Sequence, residues 1–347
     1  MREDNLRILL RLPNWLGDSV MVSPSFELLK EYFRNATFSL IGTKPSCEIY
    51  SRDVRVENIF IDETKKQSNR IRATLDFAKI IGRYDIAISF SNTFFSALLL
   101  YATKTPIRVG YGRNFRSLLL THRIPFIKNI HQVLSYMNLV NGLCNKDLIH
   151  PNSDTSDIQG LQLISQKIKN FHKDESRIYI GINPGAAYGS AKKWEEKYFA
   201  EIMAYFLQND YMVFLFGSKG DKVAESIESL LKKYENLNMN NLINLVGQTS
   251  IHQLCDYIAM MDLFITNDSG AMHIAAALNV PIIAMFGSTD SKETSPWRAN
   301  AIILNKNLPC SPCKKRECPL KHHNCMKLIT PDEVIYNANK LLYFRSN

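Results

Sequence analysis

The chain has 347 residues, a length that favours two domains. Hydrophobic residues make up 46% of the chain and charged residues 22%, a composition that excludes a disordered or fibrous protein. No apolar run approaches the ~20 residues of a membrane-spanning helix, and the N-terminus lacks a signal-peptide pattern, so we expect a cytoplasmic protein. The 42 Lys and Arg against 33 Asp and Glu give a formal charge of +9, which suits an anionic ligand or an anionic membrane face. Nucleic acid is disfavoured because the basic residues are dispersed and no recognition motif accompanies them.

Apolar strands alternate with amphipathic helical stretches along the whole chain. The strands of the first half read "RILLRLP", "ATFSLIG", "YDIAISF" and "IRVGY", and those of the second half read "RIYIGINPG", "YMVFLFGS", "NLINLVG", "LFITNDSG" and "PIIAMFG". Continuous apolar strands between helices are typical of parallel sheets covered on both faces. We therefore predict an α/β protein of two doubly wound, Rossmann-like domains facing a central cleft, over residues 1–170 and 177–329. The polar segment "NKDLIHPNSDTSDIQ" leads into the linker between them.

The first strand ends in "RLPNWLGDSVMVSP", where Gly17 takes the position at which a βα nucleotide-binding fold places phosphate. Asp18 would repel a phosphate there. Either the first domain binds another kind of ligand or Asp18 takes part in the chemistry. The alternative is that Asp18 is only the N-cap of the following helix.

Two loops of the second half follow predicted strands and carry polar side chains. In "NPGAAYGSAKKW", Lys192 or Lys193 could reach a phosphate, with Trp194 packed underneath. In "FLFGSKGDKVAE", Asp221 is placed to hydrogen-bond a ribose diol. The plainer interpretations are solvated lysines and a turn aspartate.

A third loop, "TNDSGAMHIAAALNVPIIAMFGSTD", places a helix directly after a strand. The amides of Ser269, Gly270 and Ala271 would lie at the positive end of this helix, a seat for a diphosphate. Alternatively, Asp268 or Ser269 is merely the N-cap and His273 a core histidine. Taken together, the three loops predict a nucleotide-diphosphate site. The chain has no G-x-G-x-x-G, P-loop or G-x-S-x-G motif, which disfavours dinucleotide dehydrogenases, P-loop enzymes and α/β-hydrolases.

The segment "LPCSPCKKRECPLKHHNCM" contains Cys310, Cys313, Cys318 and Cys325, with His322 and His323 before the last cysteine. A C-x-x-C pair followed by two more ligands allows a structural zinc, but the later gaps match no common zinc finger. Reduced thiols are the alternative, and a cytoplasmic location disfavours disulfides. We expect neither outcome, bound metal or free thiols, to bear on the ligand chemistry.

The last stretch predicts a helix, with Thr330 as N-cap, Pro331 in the first helical position and Glu333 completing a capping box. Residues 330–347 are a candidate to pack back on the N-terminal domain.

The P-N-W-L-G-D segment, "NPGAAYGSAKKW", the N-D-S-G-x-M-H segment and the cysteine segment together resemble the ADP-heptose:lipopolysaccharide heptosyltransferases of glycosyltransferase family 9 over essentially the whole chain. Within that family, "PNW" and the cysteine segment are most similar to the second heptosyltransferase type. The resemblance implies a GT-B fold, in which the C-terminal domain binds ADP-heptose, the N-terminal domain binds the lipopolysaccharide inner core, and transfer inverts the anomeric centre.

The resemblance also implies roles for individual residues. Asp18 would be the general base toward the acceptor hydroxyl and Lys192 the cation that stabilises departing ADP. The donor would be bound by Asp221, Thr249, Asp268, Ser269, Gly270, Ala271 and His273, with Gly247 and Thr249 beside the adenine. Asn14, Gly17 and His131 would lie on the acceptor side. No cofactor and no catalytic metal is required, and zinc is confined to a structural role.

Basic residues of the first half are candidates for binding the phosphorylated core, although solvated surface is the plainer interpretation for most of them: Arg108, Arg113, Arg116, Arg123 and His131. The acceptor would be held in the inner membrane, so we expect peripheral association with its inner face and no nucleic-acid partner. Two alternatives stay open. One is a nucleotide-sugar epimerase or a transferase of another sugar on the same fold, and the other is a non-catalytic glycolipid-binding module.

Overall fold

The computed structural model describes residues 5–169 and 171–346. Residues 1–4, 170 and 347, at the ends of the expected domain ranges, lie outside the described residues. The chain divides into two compact units, 1–164 and 165–347. No helix or strand is assigned to the described residues between 144 and 178, the region expected to contain the linker.

The first unit is built on a six-stranded parallel sheet in the order β3-β2-β1-β4-β5-β6. Its strands are β1 (Arg7–Arg11), β2 (Thr37–Gly42), β3 (Val56–Ile61), β4 (Ile86–Ser89), β5 (Ile107–Tyr111) and β6 (His122–Ile124). Its helices are α1 (Leu16–Val20), α2 (Ser23–Tyr32), α3 (Lys44–Glu48), α4 (Arg70–Ile81), α5 (Phe94–Ala102) and α6 (Gln132–Leu143). The central strands β1 and β4 are almost fully buried, as expected for a sheet covered on both faces.

The second unit repeats this plan in a sheet of order β12-β11-β10-β7-β8-β9, again entirely parallel. Its strands are β7 (Tyr179–Asn183), β8 (Met212–Leu215), β9 (Leu242–Asn244), β10 (Leu263–Asn267), β11 (Ile282–Met285) and β12 (Ala301–Leu304). Its helices are α7 (Glu196–Gln208), α8 (Lys222–Leu231), α9 (Ile251–Ile258), α10 (Gly270–Ala277), α11 (Ser291–Thr294), α12 (Asn324–Lys327) and α13 (Pro331–Ser346). The expected α/β class with two doubly wound sheets is confirmed.

The C-terminal helix α13 belongs to the core of the second unit. Val334, Ala338 and Leu342 are buried in one hydrophobic cluster with residues of α7 and of the second sheet. The expected packing of residues 330–347 on the N-terminal domain stays a prediction. The helix begins at Pro331, and the Glu333 amide donates to Thr330 Oγ1 at 3.3 Å, as the capping sequence predicts.

Candidate active site

In the second unit, the loops after β7 and β10 are fastened together by amide side chains. Asn183 Nδ2 donates to Thr266 Oγ1 and to Ser269 Oγ, both at 3.3 Å. Asn267 Nδ2 donates to the Pro184 carbonyl at 2.6 Å. Because β7 and β10 are parallel neighbours, their carboxyl ends meet at one edge of the sheet, and these bonds fix the loops there.

Helix α10 begins at that edge. Ser269 is its N-cap, and the Ser269 hydroxyl accepts from the Met272 amide at 3.3 Å. The capping interpretation is therefore correct for Ser269 and not for Asp268. The first amides of a helix have no partner within it, so those of Gly270 and Ala271 are available in principle to an anion. His273 lies in the first turn of this helix and is buried.

Lys192 and Asp268 form an ion pair beside this helix start. Lys192 Nζ lies 2.5 Å from Asp268 Oδ2, and the two side chains are 14% and 5% exposed. The solvated-surface interpretation of Lys192 is wrong, because the lysine is largely buried and held by a carboxylate. Thr289 donates its hydroxyl to the same Asp268 oxygen at 2.5 Å.

Thr289 is a site residue that the sequence reasoning missed. It follows β11 in "IIAMFGSTD", and a polar residue just after a buried strand was a signal available in the sequence. Its bond to Asp268 ties the loop after β11 to the loop after β10.

Asp221 fastens the loop after β8 to the same region. It is the N-cap of α8, accepting from the Val223 amide at 3.3 Å, and its expected role toward a ribose stays a prediction. Lys193 Nζ also lies 3.6 Å from Asp221 Oδ1. A Cβ added at Gly185 would lie 2.0 Å from Asp221 Oδ2, so only glycine fits opposite this carboxylate.

The two residues expected beside the adenine follow β9. The Gly247 amide donates to the Gly217 carbonyl at 2.9 Å, and its φ of +67° suits glycine. Thr249 is half-buried and directly precedes Ser250, the N-cap of α9.

The cysteine segment contacts the loop that carries Lys192. The Ala191 amide donates to the Arg316 carbonyl at 3.0 Å, and His323 Nε2 lies 3.2 Å from the Ala191 carbonyl. Tyr188 donates its hydroxyl to the Lys314 carbonyl at 3.2 Å. The segment therefore braces the turn that places Lys192.

The four cysteines of this segment form no disulfide in the described structure. They and both histidines line one small cavity of about 20 Å³. Within residues 5–169 and 171–346, no group of three or more His, Cys, Asp or Glu is arranged to hold a metal ion. The structural zinc stays a prediction from the sequence spacing.

In the first unit, Asp18 lies in the first turn of α1, directly after β1. The N-cap of this helix is Trp15, so the interpretation of Asp18 as a mere N-cap is wrong. Asp18 is half-buried. Burial raises the pKa of the Tyr136 phenol, and the nearby negative charge of Asp18 raises it further. Tyr136 therefore stays protonated beside the carboxylate, a neighbour that the sequence reasoning missed.

The loop before Asp18 is held by a buried ion pair. Arg11 Nη2 lies 3.0 Å from Asp62 Oδ2 and 2.9 Å from Asn14 Oδ1. Burial lowers the pKa of Arg11, while Asp62 opposes that effect. Thr43 Oγ1 donates to the Asn14 carbonyl at 3.2 Å, so Asn14 is fixed on both sides. Gly17, three residues on, lies in the first turn of α1 and accepts at its carbonyl from the Met21 amide.

The basic residues expected on the acceptor side fall into two groups. His131 is buried as the N-cap of α6, with Nδ1 accepting from the Val133 amide at 3.3 Å. Arg116 is fully buried and donates to the Tyr111 carbonyl at 2.9 Å, so it supports the loop rather than facing a ligand. Arg113 and Arg123 are exposed.

The chain is similar to known proteins over almost its whole length. The family model described as "Glycosyltransferase family 9 (heptosyltransferase)" matches residues 77–324. Lipooligosaccharide heptosyltransferase 2 of Campylobacter jejuni is 35% identical, covering 97% of this chain and 98% of that protein. Lipopolysaccharide heptosyltransferase 2 of Escherichia coli K12 is 27% identical, covering 97% and 99%.

A solved structure, that of the E. coli ADP-heptose LPS heptosyltransferase II, superposes with a TM-score of 0.81 at 26% identity, covering 99% of this chain and 100% of that one. Among the described residues, no helix combines the length and the apolar character needed to span a membrane. From the match to the family model and the full-length relatives, we conclude that the chain belongs to glycosyltransferase family 9, the heptosyltransferases.

Proposed function

We propose that the protein transfers a heptose from ADP-heptose to the first heptose of a lipopolysaccharide inner core, with inversion at the anomeric carbon. The observation that carries this proposal is the full-length similarity to heptosyltransferases 2, joined to the strand-end site around Lys192, Asp268 and the start of α10. The formal charge of +9 supports an anionic acceptor and peripheral contact with the inner face of the membrane that holds it.

The donor's diphosphate would bind at the start of α10. The amides of Gly270 and Ala271 and the Lys192 ammonium provide hydrogen-bond donors and positive charge for the oxygens on which charge develops as ADP leaves. Asp268 neutralises Lys192, which lowers the cost of keeping that ammonium largely buried. Asp221 would then accept from the ribose hydroxyls.

The acceptor would be activated by Asp18. Its carboxylate takes the proton of the attacking hydroxyl, the hydroxyl oxygen forms a bond to the anomeric carbon, and the bond from that carbon to the ADP oxygen breaks. One displacement of this kind inverts the anomeric centre and needs no covalent intermediate, by analogy with inverting glycosidases. ADP departs as an anion, so charge stabilisation rather than protonation assists it.

The test is incubation of the full chain with ADP-heptose and an inner core that ends in its first heptose, followed by mass measurement of the product. We expect the acceptor to gain one heptosyl residue, and NMR of the new linkage to show the anomeric configuration opposite to that of the donor. ADP-glucose in a parallel reaction tests the choice of sugar. Isomerisation of the donor without transfer would identify an epimerase, and acceptor binding without ADP affinity a non-catalytic module.

A further inference from the structure

The first unit contains a long stretch without acidic residues. Residues 86–146 include no Asp or Glu, although the chain's average of 33 in 347 would place about six in 61 residues. The same stretch contains seven Lys or Arg. It covers β4 to α6, including the loops after β5 and β6. Such a stretch contributes positive charge to its surface and no carboxylate of its own to neutralise that charge.

Large apolar side chains are exposed on those two loops. Phe115 is 98% exposed and Leu118 is 85% exposed, both after β5, while Phe126 after β6 is 38% exposed. Arg113, Arg123 and Lys128 are exposed around them. Since β5 and β6 are parallel neighbours, both loops leave the same edge of the sheet. We call these six residues the basic-apolar patch.

Hydrogen bonds and a cation–π contact hold the loops of the patch in place. The buried Arg116 donates to the Tyr111 carbonyl and, at 2.5 Å, to the Ser91 carbonyl of the loop after β4. Asn114 Nδ2 donates to the Asn92 carbonyl at 2.9 Å. The Arg113 guanidinium lies 4.2 Å from the centre of the Phe126 ring, which joins the two loops.

The backbone at Phe115 is in an unfavourable conformation. Asn114 and Phe115 have φ of +56° and +57°, and the left-handed region costs a non-glycine residue roughly 1–2 kcal/mol. The Phe115 ring is 98% exposed, so burial within the chain does not offset that cost. A residue held in a costly conformation with its side chain in water points to a function outside the fold.

We infer that the basic-apolar patch docks the protein on an anionic lipid bilayer, with Phe115 and Leu118 entering the interface and Arg113, Arg123 and Lys128 binding headgroup phosphates. Apolar insertion together with basic residues is the combination that gives stable peripheral binding. A small soluble anion would explain the charge but not the exposed Phe and Leu. The inference rests on the proposed function, in which the acceptor is anchored in a membrane.

Vesicle flotation of the full chain tests this inference. We expect binding to vesicles of phosphatidylethanolamine with phosphatidylglycerol, weaker binding to phosphatidylcholine, and loss of binding as ionic strength rises from about 0.1 to about 0.5 M. The double variant Phe115→Ser/Leu118→Ser should bind these vesicles at least ~10-fold more weakly than the parent chain, since each substitution removes an inserted apolar side chain. Replacing Arg113, Arg123 and Lys128 by Gln should weaken vesicle binding by roughly 100-fold, because each lost charge weakens binding by about a factor of five and the three factors multiply.

The matched control is Ile71→Ser/Ile80→Ser, which removes two exposed apolar side chains from α4 of the same unit. This variant should bind vesicles as the parent chain does, and thermal unfolding should show both double variants folded. Failure of the parent chain to bind anionic vesicles, undiminished binding by Phe115→Ser/Leu118→Ser, or equal loss in the control would each overturn the inference.

Transfer to two acceptors separates this inference from the proposed function. The Phe115→Ser/Leu118→Ser variant should lose transfer to acceptor embedded in anionic vesicles and keep transfer to an acyl-free, soluble acceptor. Loss on the soluble acceptor with normal vesicle binding would assign these side chains to the acceptor sugar and overturn the inference. Vesicle binding as expected, with no transfer by the parent chain to either acceptor, would refute the proposed function and leave the docking surface standing.

Discussion

Asp18 and Lys192 illustrate how much of a residue's role depends on its immediate neighbours. Asp18 lies inside the first turn of α1 rather than at its cap, and its negative charge raises the pKa of the buried Tyr136. Lys192, which could have been a solvated loop lysine, is paired with Asp268 at 2.5 Å. Asp18 acts on a residue distant in sequence, and Lys192 is held by one.

Replacement of Asp18 by Asn tests the proposed base. The amide cannot accept the proton of the acceptor hydroxyl, so turnover should fall by roughly 10²-fold or more, the scale of general-base loss. ADP binding, measured by calorimetry, should be nearly unchanged because the proposed donor site lies in the second unit. Asp76→Asn, at an exposed carboxylate on α4, is the control and should keep full turnover. Near-normal turnover in Asp18→Asn would remove this residue from its role.

Lys192→Ala should weaken ADP-heptose binding and lower turnover together, because in the proposed mechanism the lost ammonium stabilises both the bound donor and the leaving ADP. It also leaves the Asp268 carboxylate without its cation, adding to the loss. Lys193→Ala is the neighbouring control, since Lys193 is directed to Asp221 at 3.6 Å. Steady-state kinetics with varied donor measure both effects. Unchanged kinetics in Lys192→Ala, or a larger effect in Lys193→Ala, would show that Lys192 is not the cation that stabilises the leaving ADP.

Cys47 makes stability depend on alkaline pH. Burial raises the pKa of its thiol from 9.0 to about 12, partly offset by Arg11, and the residue is fully buried. The unfolded state therefore releases this proton first as pH rises above 9, so stability present below pH 9 is lost between pH 9 and 12. From these pKa values, the free energy of unfolding should fall about 1.4 kcal/mol between pH 8 and pH 10 through this residue alone.

The measurement for Cys47 is urea unfolding of the parent chain and of Cys47→Ala at both pH values. The parent chain should lose about 1.4 kcal/mol more than the variant, because the variant lacks the titrating thiol. Comparing the two losses cancels the contribution of the other groups that titrate in this range. Equal losses would show that burial does not shift this thiol.

At the scale of elements, the strands that the sequence missed share a position. β3, β6 and β12 were not predicted, and each lies at an edge of its sheet. Edge strands are covered less completely by helices and neighbouring strands than central strands are, and these three are partly exposed. Charged and polar residues interrupt the apolar run of β3 and β6 that would identify a buried strand. The strand β12 has an apolar run of only four residues, "AIIL", which the sequence analysis did not assign. The central strands of both sheets carry continuous apolar runs and were predicted.

The cysteine segment packs directly on the turn at Lys192. A Cβ added at Gly189 would lie 2.3 Å from the Arg316 carbonyl oxygen, so Gly189→Ala must displace the segment or the turn. We expect ADP affinity to fall at least ~10-fold, as small misplacements at a binding turn are costly. Isothermal titration with ADP measures this.

The control for Gly189→Ala is Gly82→Ala, where φ is +75° but nothing lies within 4 Å of the added Cβ. That variant should lose about 1 kcal/mol of stability to backbone strain and keep its ADP affinity. If Gly189→Ala bound ADP normally while remaining folded, the segment would have no role in placing Lys192.

At the scale of the molecule, the two units have similar sheets and different loops. The second unit has the Ser269-capped helix and the Lys192–Asp268 pair, and the first has Asp18 with the acid-free stretch. We expect ADP to slow hydrogen exchange of the full chain at residues 184–192 and 268–272, the loops proposed to bind the donor. Amides of residues 112–131 should be unaffected. Protection by ADP centred on the first unit would contradict the assignment of donor to second unit.

The sequence by itself determined the α/β class, the central parallel strands and the loops that follow them, because buried strands need continuous apolar runs and helix starts need particular polar residues. It also located Asp18, Lys192, Asp268 and Ser269 at strand ends. Only the tertiary structure decided the partners of these residues. The Lys192–Asp268 pair spans 76 positions, Thr289 reaches Asp268 from another loop, and the cysteine segment supports Ala191 from more than 120 residues away. Local periodicity carries no information on such pairings, since sheet order and the packing of loops on one edge create them.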